Sequence, residues 1–305
     1  MWQGGRVTIL PPVPGEPRRP SVPRDPGDAW VVAPDGTRYW GRFGAAGLLA
    51  LDPERGVLLQ HRASWSHFGD TWGLPGGARH QDESAVAGAL RESAEEAGVP
   101  DGAIRPRLVS VLDLGYWSYT TLIGDVTTSF EPAIGDPESH ALEWVPVESV
   151  VERPLHPGFA ASWEHLEPLL DLRPAIVVDA ANVVGSVPDG WWKDRAAAAR
   201  RLLGRIAALA ADGLPAAALD LPELVWFPEW TVVVEGRARS VAAPEGIDLV
   251  RAEGSGDDAI ASEAARLGAD GRTVTVVTSD RGLAERSRDT GADVRGTRWL
   301  LDLLA

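Results

Sequence analysis

Three carboxylates at helical spacing are the residues of this sequence best suited to chemistry. Glu92, Glu95 and Glu96 stand at i, i+3 and i+4, which places them on one face of a helix. Like charges at that spacing repel one another, so this face needs a positive partner. Carboxylate oxygens without imidazole or thiolate suit Mg²⁺ or Mn²⁺ rather than Zn²⁺. The alternative is a solvated acidic face, which charge runs often form.

The helix that must carry these acids is amphipathic. Small and apolar residues recur at three- and four-residue steps on the side opposite the acids, which predicts a buried face there and carboxylates that point outward. The predicted buried positions are Val86, Ala89, Leu90 and Ala97. A glycine-rich turn over residues 72–77 precedes the helix, and Gly76 and Gly77 would let its backbone approach a phosphate closely.

The whole pattern resembles the Nudix box. It runs Gly77, five residues, Glu83, seven residues, Arg91-Glu92, two residues, Glu95-Glu96, one residue, Gly98 and an aliphatic Val99. Ser93 departs from it, because the family prefers an aliphatic residue there. We expect the Ser93 hydroxyl to bond to the helix carbonyl four residues earlier. The resemblance implies an α/β/α sandwich around a mixed sheet, over about residues 37–170.

The same resemblance implies metal-assisted hydrolysis of a nucleoside diphosphate linked to a group X, or of a nucleoside triphosphate. Glu92, Glu95 and Glu96 would hold Mg²⁺ or Mn²⁺. Glu92, or a glutamate outside the box such as Glu138, would remove the proton. The alternative for Glu138 is that it is only an acidic residue of the surface. Arg91 would orient the carboxylates, and Glu83 would support them from the loop.

Substrate contacts are expected around the turn before the helix. Those expected there are Gly76, Gly77, Arg62 and Trp72. Trp65, Phe68 and Trp72 could stack on a base, but aromatic residues at that density also form cores. Arg62 ends a predicted strand, and its alternative is a solvated strand end.

A second pattern begins at Arg173-Pro174. Predicted strands alternate with predicted helices to the end of the chain, which indicates an open parallel sheet with helices on both faces. Ligands bind beyond the carboxyl ends of such strands, where Asp179 and Asp280 stand, while Asp257 opens a helix. The alternatives are that Asp257 caps its helix and that Asp280 closes a turn.

These segments resemble the NYN branch of the PIN-like nucleases, over about residues 174–304. The resemblance rests on Val178-Asp179-Ala180-Ala181-Asn182, on residues 254–260 and on Thr278-Ser279-Asp280-Arg281. It implies a Rossmannoid domain in which Asp179, Asp257 and Asp280 hold Mg²⁺ or Mn²⁺ for phosphodiester hydrolysis. Asn182 would contact substrate, and single-stranded RNA is the implied partner.

Composition narrows the possibilities further. With 305 residues, the length favours two domains, which we place at 29–172 and 173–305 after a proline-rich, extended or disordered arm over 1–28. A formal charge of −15 argues against coating duplex nucleic acid. The absence of cysteine excludes disulfides and zinc–cysteine sites. No membrane span is evident, so a cytoplasmic location is expected.

Two further functional hypotheses stay open at this point. The chain could be an RNA-processing protein whose two domains act on the same 5′ ends. Alternatively, one domain could have lost catalysis and could serve as a nucleotide-sensing module. Metal-dependent RNA cleavage would indicate the first, and nucleotide binding without turnover would indicate the second.

Overall fold

The computed structural model describes residues 7–12, 25–188 and 190–305, in two compact units. The first unit contains the described residues up to Leu170 together with Pro222–Val225, and the second contains Asp171–Leu221 and Trp226–Ala305. Most of the expected N-terminal arm lies outside the described residues. In the described ranges, no helix combines the length and hydropathy that a bilayer span requires.

The first unit is a mixed α/β structure. Its elements in chain order are strands β1 (Thr8–Leu10), β2 (Trp30–Val32), β3 (Arg38–Trp40), β4 (Ala45–Asp52), β5 (Gly56–Arg62), β6 (Trp72–Gly73) and β7 (Gly76–Ala78), helix α1 (Ala85–Ala97), strands β8 (Ile104–Asp113), β9 (Ser118–Val126) and β10 (Ser139–Val145), and helix α2 (Pro157–Leu166). Strands β1 to β3 form a small antiparallel sheet, so the described part of the arm is paired rather than disordered.

The larger sheet of this unit opens where the site lies. Its strands run in the order β10-β5-β4-β9-β8, with β4 and β9 parallel. Strands β4 and β5 form a hairpin, but they pair only next to their turn, at Leu51–Val57 and Asp52–Gly56. Beyond that point β7 pairs with β4 and β6 pairs with β5. The glycine-rich turn therefore fills the gap between two diverging strands.

Helix α1 begins and ends with regular caps. The Ser84 side chain accepts a hydrogen bond from the Ala87 N–H, and Gly98 closes the helix in the left-handed conformation that glycine adopts most readily. The helix packs against β4, β7 and β9. Its buried residues are Gly88, Ala89, Glu92, Ser93, Glu96 and Ala97. The predicted outward orientation of the acids is therefore wrong for Glu92 and Glu96.

The second unit alternates strands and helices. In chain order the remaining elements are β11 (Pro174–Asp179), α3 (Ala180–Gly185), α4 (Arg195–Asp212), β12 (Leu214–Pro215), β13 (Val225–Trp226), β14 (Glu229–Val234), β15 (Ile247–Arg251), α5 (Gly256–Ala269), β16 (Thr273–Val277), α6 (Arg281–Asp289), β17 (Asp293–Arg295) and α7 (Thr297–Leu303). Helix α4 begins only at Arg195, after two tryptophans. Asp194 caps it by accepting from the Ala197 N–H, and Trp191–Lys193 form a separate 3-10 turn.

The predicted parallel sheet is confirmed in this unit. Its order is β15-β14-β11-β16-β17, and every neighbouring pair is parallel. The chain order reverses between β11 and β16, which makes the crevice beyond their carboxyl ends the expected ligand position. Apolar side chains cover both faces of the sheet, so the strands are held from both sides.

Candidate active site

Arg91 organises the carboxylates of the first unit. Its Nε lies 2.8 Å from Glu83 Oε1, its Nη1 lies 2.8 Å from Glu92 Oε1, and its Nη2 donates to the Ala78 carbonyl at 3.0 Å. The hydrogen bond from Arg91 lowers the pKa of Glu83 against the effect of burial. Glu95 is the exposed member and lies 3.5 Å from the same guanidinium. These contacts give Arg91 a geometry suited to orienting the carboxylates.

Glu96 turns inward from α1 instead of facing solvent. Its Oε2 accepts from the Gly76 N–H at 2.9 Å and from Gln60 Nε2 at 3.3 Å. Gln60 is fully buried and also donates to Ser139 Oγ at 2.7 Å, so strands β5 and β10 support the carboxylate from behind. Gln60 was expected only as part of the polar strand end that Arg62 closes, not as a support for an acid of the helix. The signal that could have found it was a polar residue within an otherwise apolar strand.

Ser93 is fully buried, and its hydroxyl donates to the Leu90 carbonyl three residues earlier, at 2.9 Å, rather than to the carbonyl four residues earlier. A small side chain therefore fits where the family prefers an aliphatic one. Val86 and Leu90, which the pattern placed in the core, are only partly buried. The buried face of α1 is rotated toward Glu92 and Glu96, because those two carboxylates have hydrogen-bond partners inside.

Gly77 leaves space for a carboxylate. A Cβ at this position would lie 2.8 Å from the carboxyl carbon of Glu92 and 2.8 Å from its Oε2, which is closer than real Cβ contacts come. Gly76 is equally restricted, since its Cβ would lie 2.5 Å from the Ala46 carbonyl oxygen. The glycines thus let the turn lie directly over the acids of the helix.

We expect Gly77→Ala to reduce kcat/KM by roughly 10- to 100-fold, because the new methyl group displaces the Glu92 carboxylate, as loss of a supporting contact does in metal sites. Gly73→Ala is the matched control, since a Cβ there meets only the His156 Cβ at 3.6 Å. Steady-state kinetics on both variants would check this. Equal kcat/KM values for Gly77→Ala and Gly73→Ala would show that activity does not depend on the position of the Glu92 carboxylate.

The donor set fits a hard divalent cation. All the candidate ligands on α1 are carboxylate oxygens, and two of them, on Glu92 and Glu95, share the Arg91 guanidinium with Glu83 from the preceding loop. Across the part of the chain that the structure describes, no three Asp, Glu or His side chains are already gathered as a cage.

Tyr119 brings a phenol to the same region, although the sequence did not point to it. A Cβ at Gly47 would overlap the Tyr119 hydroxyl oxygen, so this oxygen lies directly over the glycine of β4 that pairs with Gly76. Burial raises the pKa of Tyr119, and the nearby charges of Glu96 and Glu92 raise it further. The phenol therefore stays protonated at neutral pH and can donate a hydrogen bond.

Arg62 lies as predicted at the end of β5. Its Nε donates to the His67 carbonyl at 3.2 Å, and its charge acts on His67, His156 and Tyr119. Trp72, by contrast, is buried; its ring stacks on His61 with centroids 4.8 Å apart, and Arg153 lies over it. These contacts favour the alternative that Trp72 belongs to the core, and its role in substrate stacking stays a prediction.

The exposed aromatic residues of this region are Trp65 and Phe68, at 52% and 46% exposure. Phe68 adopts a positive φ of 54°, which is uncommon for a bulky residue and is often associated with function. Its ring meets His156 edge-on at 4.8 Å. These two rings, rather than Trp72, are available to a nucleobase.

Glu138 and Asp28 are carboxylates outside the box. The Glu138 carbonyl accepts from the Ala63 N–H, and the next residue, Ser139, receives the Gln60 hydrogen bond. Burial raises the pKa of Asp28, and the charge of Glu92 raises it further. The sequence had assigned no chemistry to the segment that holds Asp28. Asp28 is therefore close enough to Glu92 to be affected by its charge, and the role of Glu138 as a proton acceptor stays a prediction.

His156 is held in its neutral form. Burial and the charges of Arg62 and His67 lower its pKa to about 4, while its Nδ1 caps α2 by accepting from the Gly158 N–H at 3.1 Å. Because the folded-state pKa is depressed, the unfolded chain binds the proton first. We expect the free energy of unfolding to fall as pH drops from about 6.5 toward 4, by on the order of 1 kcal/mol given partial exposure.

His156→Asn should flatten that part of the pH dependence while keeping the cap, since asparagine caps helices well. Urea unfolding at pH 7 and pH 5, with NMR titration of the histidine ring protons, measures both effects. A wild-type His156 that titrates near 6.5 would contradict the burial argument.

The second unit contains a separate acidic pocket of about 430 Å³ at the carboxyl ends of its strands. Asp179, Asp257, Asp280 and Asn182 all line it, together with Glu235, which the sequence did not single out. Burial raises the pKa of Asp179 despite hydrogen bonds from the Asn182 N–H and Thr278 Oγ1, and the charges of Asp257 and Glu235 raise it further.

The individual acids of this pocket differ in their partners. Asp257 is not the cap of α5, because the helix begins at Gly256 and Ser255 is the N-cap. Asp280 does cap α6, by accepting from the Leu283 N–H at 2.8 Å, and it also lines the pocket. Asn182 Oδ1 accepts from the Ser279 N–H, which links two strand ends. A Cβ at Gly256 would lie 2.6 Å from Glu235 Oε2, so glycine makes room for that carboxylate.

Comparisons with known proteins identify the first unit. The NUDIX domain model matches residues 41–166. A Mycobacterium tuberculosis protein described as "Putative 8-oxo-dGTP diphosphatase 3" is 47% identical over 153 residues, which cover 47% of this chain and 70% of that protein. The chain belongs to the Nudix family. It is a Nudix hydrolase that acts on phosphoric anhydride bonds.

Two other relatives extend over similar stretches of this Nudix hydrolase. A Bifidobacterium longum "Nucleoside triphosphate pyrophosphatase/Nudix hydrolase fusion protein" is 39% identical over 176 residues, or 53% of this chain and 34% of that protein. The crystal structure of "a Nudix Hydrolase from M. Smegmatis, RenU" is 44% identical with a TM-score of 0.42, covering 47% of this chain and 95% of that one. The box of Gly77 to Val99 lies inside the matched residues.

Proposed function

We propose that the first unit is a Mg²⁺- or Mn²⁺-dependent pyrophosphohydrolase that cleaves a nucleoside triphosphate or a nucleoside diphosphate linked to another group. The observation that carries this proposal is the position of Gly76 and Gly77 over Glu96 and Glu92, with Arg91 bonded to Glu92 and Glu83. A phosphate chain over the turn would meet carboxylates, backbone N–H groups and one oriented guanidinium together.

Each residue has a definite task in this proposal. Glu92, Glu95 and Glu96 hold the cation, which supplies charge neutralisation at phosphate oxygens and lowers the pKa of a bound water. Arg91 and Gln60 hold the carboxylates in place. Gly76 and Gly77 admit the phosphates, and Glu92, Glu138 or Asp28 accepts the proton. Arg62 carries positive charge at the edge of the site.

A nucleotide panel tests this function directly. The purified full-length protein is incubated with canonical nucleoside triphosphates, 8-oxo-dGTP, a dinucleoside polyphosphate and ADP-ribose, each with Mg²⁺, with Mn²⁺ or with excess EDTA. We expect metal-dependent turnover of at least one class, with products resolved by chromatography. Nucleotide binding without turnover of any of them would favour the sensing alternative.

We propose, as a second function, that the second unit is a PIN-like metal-dependent ribonuclease. Support comes from the pocket at the reversal of strand order, which is lined by the carboxylates of Asp179, Glu235, Asp257 and Asp280. They would hold Mg²⁺ or Mn²⁺ through oxygen ligands. Asn182 orients the chain after β16 and faces the same space.

Removal of one buried acid tests this second function. We expect Asp179→Asn in the full-length protein to abolish cleavage of a labelled single-stranded RNA in Mn²⁺ while it leaves nucleotide hydrolysis unchanged. Asp258→Asn is the matched control, because Asp258 is exposed, pairs with Arg286 and does not line the pocket. Cleavage that survives Asp179→Asn would remove the pocket from the reaction. A wild type that cleaves no RNA would leave RNA processing without support.

A further inference from the structure

Two adjacent tryptophans stand at the rim of the acidic pocket without belonging to a core. Trp191 and Trp192 form the 3-10 turn before α4, and their rings meet edge-on with centroids 6.1 Å apart. Trp192 is 59% exposed, which is unusual for the largest apolar side chain. The buried face of α4 is made by other residues, from Ala198 to Ile206, so the tryptophans are not required there.

Trp191 lies next to the pocket wall, and Trp192 is connected to it through their edge-on ring contact. A Cβ at Gly185, which lines the pocket, would lie 3.9 Å from the Cζ2 atom of Trp191. The Trp191 ring is therefore in van der Waals reach of the wall. An occupant of the pocket that extends past Gly185 would meet the indole rings next.

Cations accompany the aromatic rings. The guanidinium of Arg195 lies over the Trp191 ring, 5.3 Å from its centroid. Lys193, the only lysine in the sequence, follows Trp192 directly. Both side chains are exposed, and no carboxylate of the described residues forms an ion pair with either. Asp194 stands between them, but its carboxylate is engaged by the Ala197 N–H at 2.9 Å. Asp194 keeps its negative charge, so in a chain of charge −15 the two cations outnumber the acid locally by two to one.

We infer that Trp191, Trp192, Lys193 and Arg195 form a binding platform for single-stranded nucleic acid at the rim of the acidic pocket. Indole rings stack on unpaired bases of any sequence, and lysine and arginine neutralise the phosphates between them. The inference rests on the proposed nuclease function, because it supplies the substrate contact that an acidic pocket alone lacks. It also amends the expectation from composition that no basic surface would be available, since the cations are few and local.

The test uses the full-length protein and a fluorescein-labelled single-stranded 12-mer RNA, titrated by anisotropy in EDTA so that no cleavage occurs. We expect Trp192→Ala to weaken binding roughly fivefold or more, the scale of losing one stacked base. Trp192→Phe should recover most of the affinity, since an aromatic face is restored. A Trp192→Ala protein that binds as tightly as the wild type would overturn the platform.

Salt dependence separates stacking from charge. Lys193→Gln should reduce the slope of log K against log salt by about 0.7, the value for one phosphate contact on a single strand. Trp192→Ala should leave that slope unchanged. Arg298→Gln is the control, because Arg298 is an exposed cation on α7 whose loss changes the net charge equally. Equal slopes for wild type and Lys193→Gln would overturn the phosphate contact.

Other nucleic acids complete the test. A single-stranded DNA of the same sequence should bind comparably, because bases and phosphates are common to both, whereas an RNA duplex should bind more weakly because its bases are already stacked. Tighter binding of the duplex would overturn the inference. If the wild type and Asp179→Asn bind the RNA equally and neither cleaves it, the nuclease function alone is overturned. If the wild type cleaves the RNA and Trp192→Ala binds it as tightly as the wild type does, the platform alone is overturned.

Discussion

Glu96→Gln is expected to lower kcat for nucleotide hydrolysis by roughly 100-fold or more. Loss of a metal-binding carboxylate forfeits several kcal/mol of transition-state stabilisation, and each 1.36 kcal/mol is worth about tenfold in rate. The glutamine Oε1 can still accept from the Gly76 N–H, which Glu96 now does at 2.9 Å, so the turn should stay in place. Steady-state kinetics across a range of Mg²⁺ concentrations measures the loss.

Stability distinguishes a chemical effect of Glu96→Gln from a structural one. Removing one buried negative charge near Glu92 and Glu95 relieves repulsion, so the melting temperature in EDTA should be no lower than that of the wild type. Glu152→Gln, on an exposed 3-10 turn, is the matched control and should retain full activity. Wild-type turnover of Glu96→Gln at limiting Mg²⁺ would show that Glu96 holds no metal.

The second large effect is expected for Arg91→Met. This change leaves Glu83 and Glu92 without their cation while both remain mostly buried, at 14% and 4% side-chain exposure. Breaking a buried ion pair from one side is strongly destabilising, and we expect roughly 3 kcal/mol in the free energy of unfolding at pH 7. Activity should fall as well, since Arg91 orients the Glu92 carboxylate. Urea unfolding followed by far-UV circular dichroism measures the stability.

The same variant predicts a pH dependence. Arg91 holds the pKa of Glu83 below its ordinary value of 4.5, so the stabilisation is fully present above that pH and is lost as pH falls through the lower folded-state value. The difference in the free energy of unfolding between wild type and Arg91→Met should therefore become smaller as the pH falls. Arg105→Met is the control, because Arg105 is 47% exposed and its partner Asp125 keeps Arg107. A difference in the free energy of unfolding that stays constant down to pH 3 would contradict the ion-pair explanation.

The two units differ in how directly local sequence determines their sites. In the first unit, the spacing of Glu92, Glu95 and Glu96 is sufficient to place them on adjacent turns of one helix, because the helical repeat is local. In the second unit, Asp179, Asp257 and Asp280 come from three strand or helix ends that are far apart in sequence. Parallel pairing of β11, β14 and β16 brings these ends to one edge. That pairing was predictable from alternating strands and helices, since parallel strands share a carboxyl edge.

The sequence by itself determined the residues whose positions depend on local periodicity. These include the box spacing from Gly77 to Val99, the strands of both sheets and the acids at strand ends. The direction of Glu92 and Glu96 was not among them. Glu96 lies inward because partners distant in sequence, Gln60 and the Gly76 N–H, provide hydrogen bonds that offset the cost of burial, whereas Glu92 pairs with its neighbour Arg91.

Only the tertiary structure decided which side chains from outside the box reach each site. Tyr119 faces the carboxylates because β9 pairs with β4, where Gly47 has no side chain to exclude it. Trp72 is buried because Arg153 and His61 pack against it, and Glu235 reaches the acidic pocket because Gly256 leaves room. Each of these placements depends on steric contact between segments distant in sequence, and no periodicity along the chain encodes such contact.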